Sequence, residues 1–433
     1  MKKTINIILL LLIGTSLLAQ TPKPADPQSG TILLSGGTAH LGDGTVIENS
    51  LISIVEGKIG IVVDATRARI DISQFSKVID ISGKHVYPGL ILPNTTLGLV
   101  DVNAVRATRD FDEVGGVNPN VRALIAYNTD SELIATLRFN GILLAQATPQ
   151  GGVVSGKSSI MKLDGWNWED AAYKSDDGIH LNWPRKKLRA RWWLGENQAR
   201  SNPSYEETVN SIDQIFNDAI SYLSIDNPET KNIKLEAMRG VIDGTATLFI
   251  HVSNRDEIIE SVQWTKKTNI SKVVLVDAEE ALYAADFLKE NNIPVLLAEV
   301  HRLPSRTDED IDLPYRLPGL LHEKGILVGL TYSSLQSSRN LPFFAGTVSA
   351  YGLNKEEALK LVTSNTAKIL GIEHKTGTIK PGLDANLVIS EGDLLDMRSS
   401  ILTHAFIEGR ELNLDGKQQL LYERFREKYS SGK

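Results

Sequence analysis

The sequence has no cysteine in 433 residues. That excludes disulfides, thiolate metal sites, iron–sulfur clusters, a cysteine nucleophile and a lipid-modified N-terminal cysteine. Positive charge is not in excess either. Lys+Arg total 46 against Asp+Glu 53, a formal charge of −7, so a strongly basic nucleic-acid binder is excluded. Beyond the N-terminus, no apolar run reaches the roughly 20 residues that a spanning helix needs. What is present is ordinary for a globular chain: 42% hydrophobic and 23% charged residues. The length suits two or three domains and a large core. No internal repeat is visible.

Met1-Lys2-Lys3 is a basic start, and Ile5 to Leu18 is apolar with few polar breaks, ending near Ala19-Gln20. This is the layout of a secretory signal peptide over 1–19, with the alternative of a single membrane anchor. Cleavage predicts an exported protein, periplasmic or extracellular, with no membrane span after processing. Residues 20–30, rich in proline, read as a linker.

Residues 31–89 read as short strands and turns, with Asp43-Gly44, Glu56-Gly57-Lys58 and Ser82-Gly83-Lys84 as punctuation. From about residue 205 the period changes. Val209, Ile212, Phe216, Ala219 and Leu223 mark one helix face. Strands then alternate with helices: Thr247–Val252, Lys272–Val276, Ile293–Val300 and Gly325–Leu330 are separated by helical patterns. Repeated βα units with apolar strands argue for a parallel sheet covered on both faces. The stretch 90–375 has the size of a (β/α)8 TIM-like barrel. Residues 376–413 return to β and turn chemistry, and 414–433 read as a C-terminal helix. The expected fold class is therefore α/β. A barrel is joined to a small β-sandwich built from both ends of the chain, 31–89 and 376–413.

Three stretches resemble the amidohydrolase superfamily, especially its imidazolonepropionase-like branch. Val78-Ile-Asp-Ile-Ser-Gly-Lys-His-Val-Tyr-Pro-Gly-Leu-Ile91 is similar to that family's entry into its first barrel strand. Ser364-Asn-Thr-Ala367 with Leu370-Gly371 resembles its last barrel helix. Gly377-Thr-Ile-Lys-Pro-Gly-Leu-Asp-Ala-Asn-Leu-Val388 resembles its return to the end domain. The resemblance implies a hydrolase of non-peptide C–N bonds, or of cyclic amides and dipeptide-like substrates, with zinc as the family metal.

The resemblance also implies where metal ligands belong. The family places an Asp-x-His-x-His run after Pro-Gly-Leu-Ile; here the two ligand positions hold Asn94 and Thr96, neutral oxygen donors that suit zinc poorly. His251 matches the fifth-strand histidine. Asp277 stands at the sixth-strand position, and Tyr332 falls where the eighth-strand aspartate belongs. No metal or other cofactor is expected on this donor set, and the standard metal mechanism is disfavoured. Without a metal, His251 is the candidate general base, with Asp277 or Glu299 to orient it. Tyr332 and Thr148 are candidate oxyanion donors. Thr148, Gln150, Glu299 and His301 follow predicted strand ends and are the candidate substrate-binding residues for a small polar molecule. A relict, hydrogen-bonded His251 remains the alternative.

Other motifs carry less. Gly151-Gly-Val-Val-Ser-Gly-Lys-Ser158 satisfies the P-loop pattern, but Ser158–Leu163 alternates like a strand, where a P-loop must open a helix. Trp166, Trp168, Trp183, Trp192 and Trp193 read mainly as core and interface residues. Arg185–Arg189 reads as a solvated basic patch. Arg302, Arg306 and Arg316 either meet an anionic substrate or pair with Asp308, Glu309, Asp310 and Asp312. The competing functions are an exported hydrolase with an altered site, a catalytically silent binding or partner subunit on the same fold, and a solute-binding protein. The flanking β segments disfavour the last. An oligomer, or a partner that completes the site, stays open.

Overall fold

A computed structural model of the protein describes residues 23–430, apart from Arg189, Thr307, Ser333 and the side chain of Trp192. The leader assigned to 1–19 lies outside the described residues. Among them, no helix is long and apolar enough to cross a membrane.

Strands β1 (Ile32–His40), β2 (Val46–Val55) and β3 (Lys58–Asp64) form an antiparallel meander. The β2–β3 turn is Glu56-Gly57, both with positive φ, the handedness that matches strand twist in a two-residue hairpin. β4 (Lys77–Asp80) pairs in parallel with the first half of β1, and β5 (His85–Pro88) with the second half. One residue later the chain enters the barrel. That residue is Gly89, where a Cβ would stand 2.5 Å from the Leu143 side chain, so the close approach of the two sheets requires glycine there.

Eight strands make the barrel sheet: β6 (Leu90–Thr95), β7 (Ile142–Ala147), β8 (Val154–Lys162), β9 (Ala172–Asn182), then, after a two-residue ribbon of β10 (Lys187–Leu188) and β11 (Arg200–Ser201), β12 (Thr247–Val252), β13 (Val273–Asp277), β14 (Val295–Leu297) and β15 (Val328–Leu330). The sheet is not wholly parallel. β8 runs antiparallel to both neighbours, so a hairpin replaces one βα unit of the expected (β/α)8 pattern. The barrel is nearly closed. Residues 361–362 bridge its two edge strands, through Ile91 N–H to Val362 O (2.9 Å) and Leu330 N–H to Leu361 O (3.0 Å). Thr331 Oγ1 donates directly to Pro93 O (2.5 Å).

Strand alternation divides the core in two. Ile91, Leu144, Ile160, Phe249, Val274, Val276 and Leu296 fill the barrel, with Ile369, Leu370 and Ile372 packed against them. The intervening strand residues face the surrounding helices. The helix Tyr205–Leu223 buries Ile212, Phe216 and Ala219 against that outer face. The helix Arg255–Lys267 begins where the Asn254 side chain accepts from Asp256 N–H.

After the barrel, β16 (Leu387–Ser390) pairs with β5, β17 (Leu402–Ile407) with β16, and β18 (Arg410–Glu411) with β17. Strands from both ends of the chain, 31–89 and 376–413, thus share one hydrogen-bonded eight-stranded sheet. Its core is Leu34, Ile52, Ile54, Ile81, Val86, Leu387, Ile389 and Phe406.

A buried ion triad joins this sheet to the barrel. Asp164, just past β8, accepts from Arg138 Nη1 (2.9 Å), Arg410 Nη1 (2.8 Å) and Ala25 N–H (3.1 Å). The side chains of Asp164 and Arg138 are 2% and 8% exposed, and burial lowers the Arg138 pKa. Removing one partner of such a pair strands the other charge. Asp164→Ala is expected to destabilise the fold by about 3–5 kcal/mol in guanidinium titrations. A loss below about 1 kcal/mol, the worth of an exposed pair, would show that solvent reaches the triad.

Candidate functional site

The C-terminal ends of the parallel barrel strands form one rim, the end where such barrels place their chemistry. Four of the nine non-glycine residues with positive φ among the described residues lie there. Asn94 near the end of β6 (φ 49°), Asp277 and Ala278 at the end of β13 (φ 73° and 42°) and Glu299 just past β14 (φ 54°) are all left-handed. Non-glycine residues in that conformation cost of order 1–3 kcal/mol each and gather at functional sites. At Asn94 the distortion coincides with a register shift between Leu92 and Thr95. The Asn94 N–H is turned onto Gln146 Oε1 (3.0 Å).

Beneath the rim lies a buried polar network. Gln146 Nε2 donates to Asp177 Oδ2 (2.8 Å) and Ser158 Oγ (3.2 Å), and Ser158 Oγ donates to Asp177 Oδ1 (2.7 Å). Burial raises the Asp177 pKa, opposed by the hydrogen bonds from Ser158 and Gln146.

The chemical centre is a chain of three side chains on adjacent strands. His180 on β9 and His251 on β12 meet through Nδ1 and Nε2 at 2.9 Å. His251 Nδ1 lies 3.8 Å from Asp277 Oδ2 on β13. Exposure runs in one direction: Asp277 is 33% exposed, His251 18% and His180 0%. His180 stacks on Phe249 (4.7 Å, 10°). Its pKa is held well below the ordinary imidazole value, first by burial and then by His251. His180 Nε2 is buried with no hydrogen-bond partner. An ionised Asp277 favours the proton on His251 Nδ1. Nε2 of His251 then accepts from His180 Nδ1–H, which leaves the bare lone pair of His180 as the unpartnered atom. The sequence reading named His251 and Asp277 but missed His180. The signal was there: His180 and Asn182 alternate with Ile179 and Leu181.

A second group lies past β14 and β15. Tyr332 stacks on Phe344 (4.6 Å, 23°), and its pKa is raised by burial and by the Glu299 charge. The phenol is thus a proton donor at neutral pH. His301 contacts the same Phe344 edge-on (4.8 Å), and its Nε2 meets Thr347 Oγ1 (2.7 Å). Burial lowers the His301 pKa.

The remaining candidates are disposed differently. Thr148 is buried and its hydroxyl donates to Gln146 O (3.2 Å). Gln150 is exposed on the loop after β7, with its N–H on Phe111 O (2.6 Å). Thr96 and Asn94 are buried, and Thr331 is fully so. Among the described residues, no three or more of His, Asp and Glu are grouped so as to hold a metal ion.

The other motifs resolve simply. Gly156, Lys157 and Ser158 of the P-loop-like run lie inside β8, so no helix N-terminus faces a phosphate there. Arg302 pairs with Glu309 (2.6 Å), Arg306 with Asp308 (2.6 Å) and Arg316 with Asp312 (3.5 Å), the acid-pairing alternative. Trp183 is core, donating to Tyr205 OH (3.2 Å), whereas Trp166 and Trp193 are each 65% exposed. Lys186 of the basic patch pairs with Glu260; Arg189 lies outside the described residues.

Residues 246–415 match the model of the amidohydrolase family. None of the curated proteins matches the sequence. An amidohydrolase from Thermotoga maritima MSB8 has a similar structure at 23% identity, TM-score 0.78, covering 88% of this chain and 99% of that one. A Xaa-Pro dipeptidase with bound methionine in its active site gives TM-score 0.56 at 14% identity, covering 88% and 100%. A zinc-bound adenosine deaminase from Xanthomonas campestris gives 0.52 at 13%, covering 95% and 100%. The barrel with its flanking sheet is thus the fold of amidohydrolase-superfamily structures.

His180 makes the stability of this fold pH-dependent. In the unfolded chain a histidine binds its proton below about pH 6.5, whereas the native His180 site refuses it. The unfolded state therefore holds more protons below that pH, and stability falls as the pH drops from about 6.5 towards the depressed native pKa. His180→Gln is expected to flatten the slope of unfolding free energy between about pH 6 and 5 by up to one proton, about 1.4 kcal/mol per pH unit. An unchanged slope in urea melts at stepped pH would mean that His180 is not buried as a neutral ring.

Proposed function

We propose that this protein, with an amidohydrolase-family segment on an amidohydrolase-like barrel, is a hydrolase of amide-type C–N bonds in small polar substrates, working from Asp277, His251 and His180 without a bound metal. The observation that carries the reading is the Asp277–His251–His180 chain, hydrogen-bonded between its imidazoles and graded from solvent to core at the rim. A zinc site does not fit the donors. Asn94, Thr96 and Tyr332 are neutral oxygen groups, poor zinc ligands beside imidazole, and the two imidazoles are spent on each other.

Asp277 is the outermost member and the one that meets water. In this reading its carboxylate accepts a proton as water adds to the substrate carbonyl carbon, and returns that proton to the nitrogen as the C–N bond breaks. The products are a carboxylic acid and an amine. His251, a positioning residue, faces the Asp277 carboxylate through Nδ1. The present 3.8 Å is long for a hydrogen bond, as apo catalytic contacts often are. His180 fixes the His251 ring from beneath. Tyr332, protonated at neutral pH, supplies the hydrogen bond to the developing oxyanion.

The names of the structural neighbours, a dipeptidase and a deaminase among them, support the bond class. The three motif stretches support the imidazolonepropionase-like branch. The N-terminal pattern supports export.

The test is hydrolysis of acyl dipeptides and cyclic amides by protein dialysed against chelator, with metal content measured in parallel. Activity is expected to survive chelation with less than about 0.1 zinc per chain. Asp277→Asn is expected to lower kcat by about 10²–10⁴-fold, the usual range for a lost acid–base group. Activity that vanishes on chelation and returns with zinc would overturn the metal-free mechanism. Turnover of no amide at all would overturn the hydrolase reading.

A further inference from the structure

The floor of the barrel, opposite the rim, carries a cavity that the proposed reaction does not use. It has a volume of about 540 Å³ and lies between the start of β15 and the end sheet. Four stretches of chain build it: the turn at Asp43, the approach to β15 at 322–327, the helical segment 357–368, and residues 378–380. Because β15 spans only Val328–Leu330, with Tyr332 beyond its far end, the cavity and the rim sit at opposite ends of one strand.

Its charge is distinctive. Lys360, Lys368, Lys380 and His322 line it together with two acids, Asp43 and Glu357. Of the two acids, only Glu357 is ion-paired. Glu357 takes Lys360 Nζ (2.5 Å) and faces His322 Nε2 (3.5 Å), and Asp43 accepts from Thr45 N–H (2.9 Å). Lys368 and Lys380 make no ion pair among the described residues. In a chain with 53 acidic residues and a net charge of −7, folding has brought these two cations to one concavity, where Asp43 is the one lining carboxylate without an ion pair among the described residues. The floor is polar and fixed. Ser364 and Asn365 are 5% and 8% exposed. Ser364 Oγ donates to Gly42 O (2.6 Å), and Asn365 Nδ2 donates to Val328 O (3.1 Å), with a second amide hydrogen to give.

We propose that this cleft binds a small multivalent anion, of the phosphate or polycarboxylate class, held by Lys368 and Lys380 over the Ser364–Asn365 floor. The ammonium groups are long-stemmed point charges that can converge on a compact anion. A low-dielectric wall on the barrel side strengthens the attraction relative to open solvent. The site is independent of the hydrolase reading, since none of its residues belongs to the rim.

The test is calorimetric titration of the full chain with inorganic pyrophosphate and, separately, citrate, at about 0.05 M salt and again at 0.3 M. One saturable site per chain is expected for at least one of the two, and which of them binds assigns the class. The affinity should weaken at the higher salt. Lys368→Gln with Lys380→Gln should weaken it at least tenfold, while the melting temperature without ligand stays within a few degrees. No saturable binding of either anion up to about 10 mM would overturn the proposal. So would binding that survives the double substitution, which would place the anion elsewhere.

Discussion

One buried carboxylate holds the architecture together. Asp164 sits in a region of low dielectric where an unpaired charge is untenable, and its partners tie together four parts of the chain. Arg138 comes from a barrel helix, Arg410 from the last strand, the Ala25 amide from the N-terminal tether, and Asp164 itself from the connection after β8. None of these can relax without exposing the others to the same desolvation. The junction between end sheet and barrel is therefore set by charge as well as by the direct passage from β5 through Gly89 into β6. Tyr173 adds a second tie of the same kind, with its hydroxyl on Asp384 Oδ2 (2.6 Å), while Lys58 pairs with the other oxygen of that carboxylate.

With the scaffold pinned, strain can be stored at the rim. Asn94, Asp277, Ala278 and Glu299 adopt a conformation that an unconstrained chain would abandon. Turning Asp277 out of the regular strand path aims its carboxylate at His251 and leaves it accessible to water. The neutral His180 behind them adds no charge to the core. The result is a gradient from wet to dry over three side chains, and the surrounding polar groups, such as the Gln146–Ser158–Asp177 set, satisfy one another.

The sequence disclosed elements whose periodicity was clean. β12 coincides with the run Thr247–Val252, buried on both faces as its continuous apolar run implies, and the helix Tyr205–Leu223 with its 3- and 4-residue spacing, because it buries one face. Alternation also exposed the P-loop-like run as strand. What periodicity does not encode is direction. β8 alternates identically whichever way it runs, so its antiparallel course was invisible. His180 was overlooked because its strand, β9, carries the polar run Lys174-Ser-Asp-Asp-Gly178 and shows no continuous apolar pattern. Glu299 and Asp277 were legible as strand-end residues. Their left-handed backbones were not, since that conformation is imposed by tertiary packing on residues that do not prefer it.

The reversed strand also bears on how the chain assembles. β7, β8 and β9 are joined by short connections and pair with their sequence neighbours, so this part of the barrel costs little loop-closure entropy and can form early. The opposite seam differs in kind. β6 and β15 meet through residues 361–362, more than two hundred positions from β6, and through the single Thr331–Pro93 hydrogen bond, only after every intervening strand is in place. The barrel is thus assembled from a local meander outward and sealed last by a segment that belongs to neither edge strand. Its final seam is the natural place for the native state to open first.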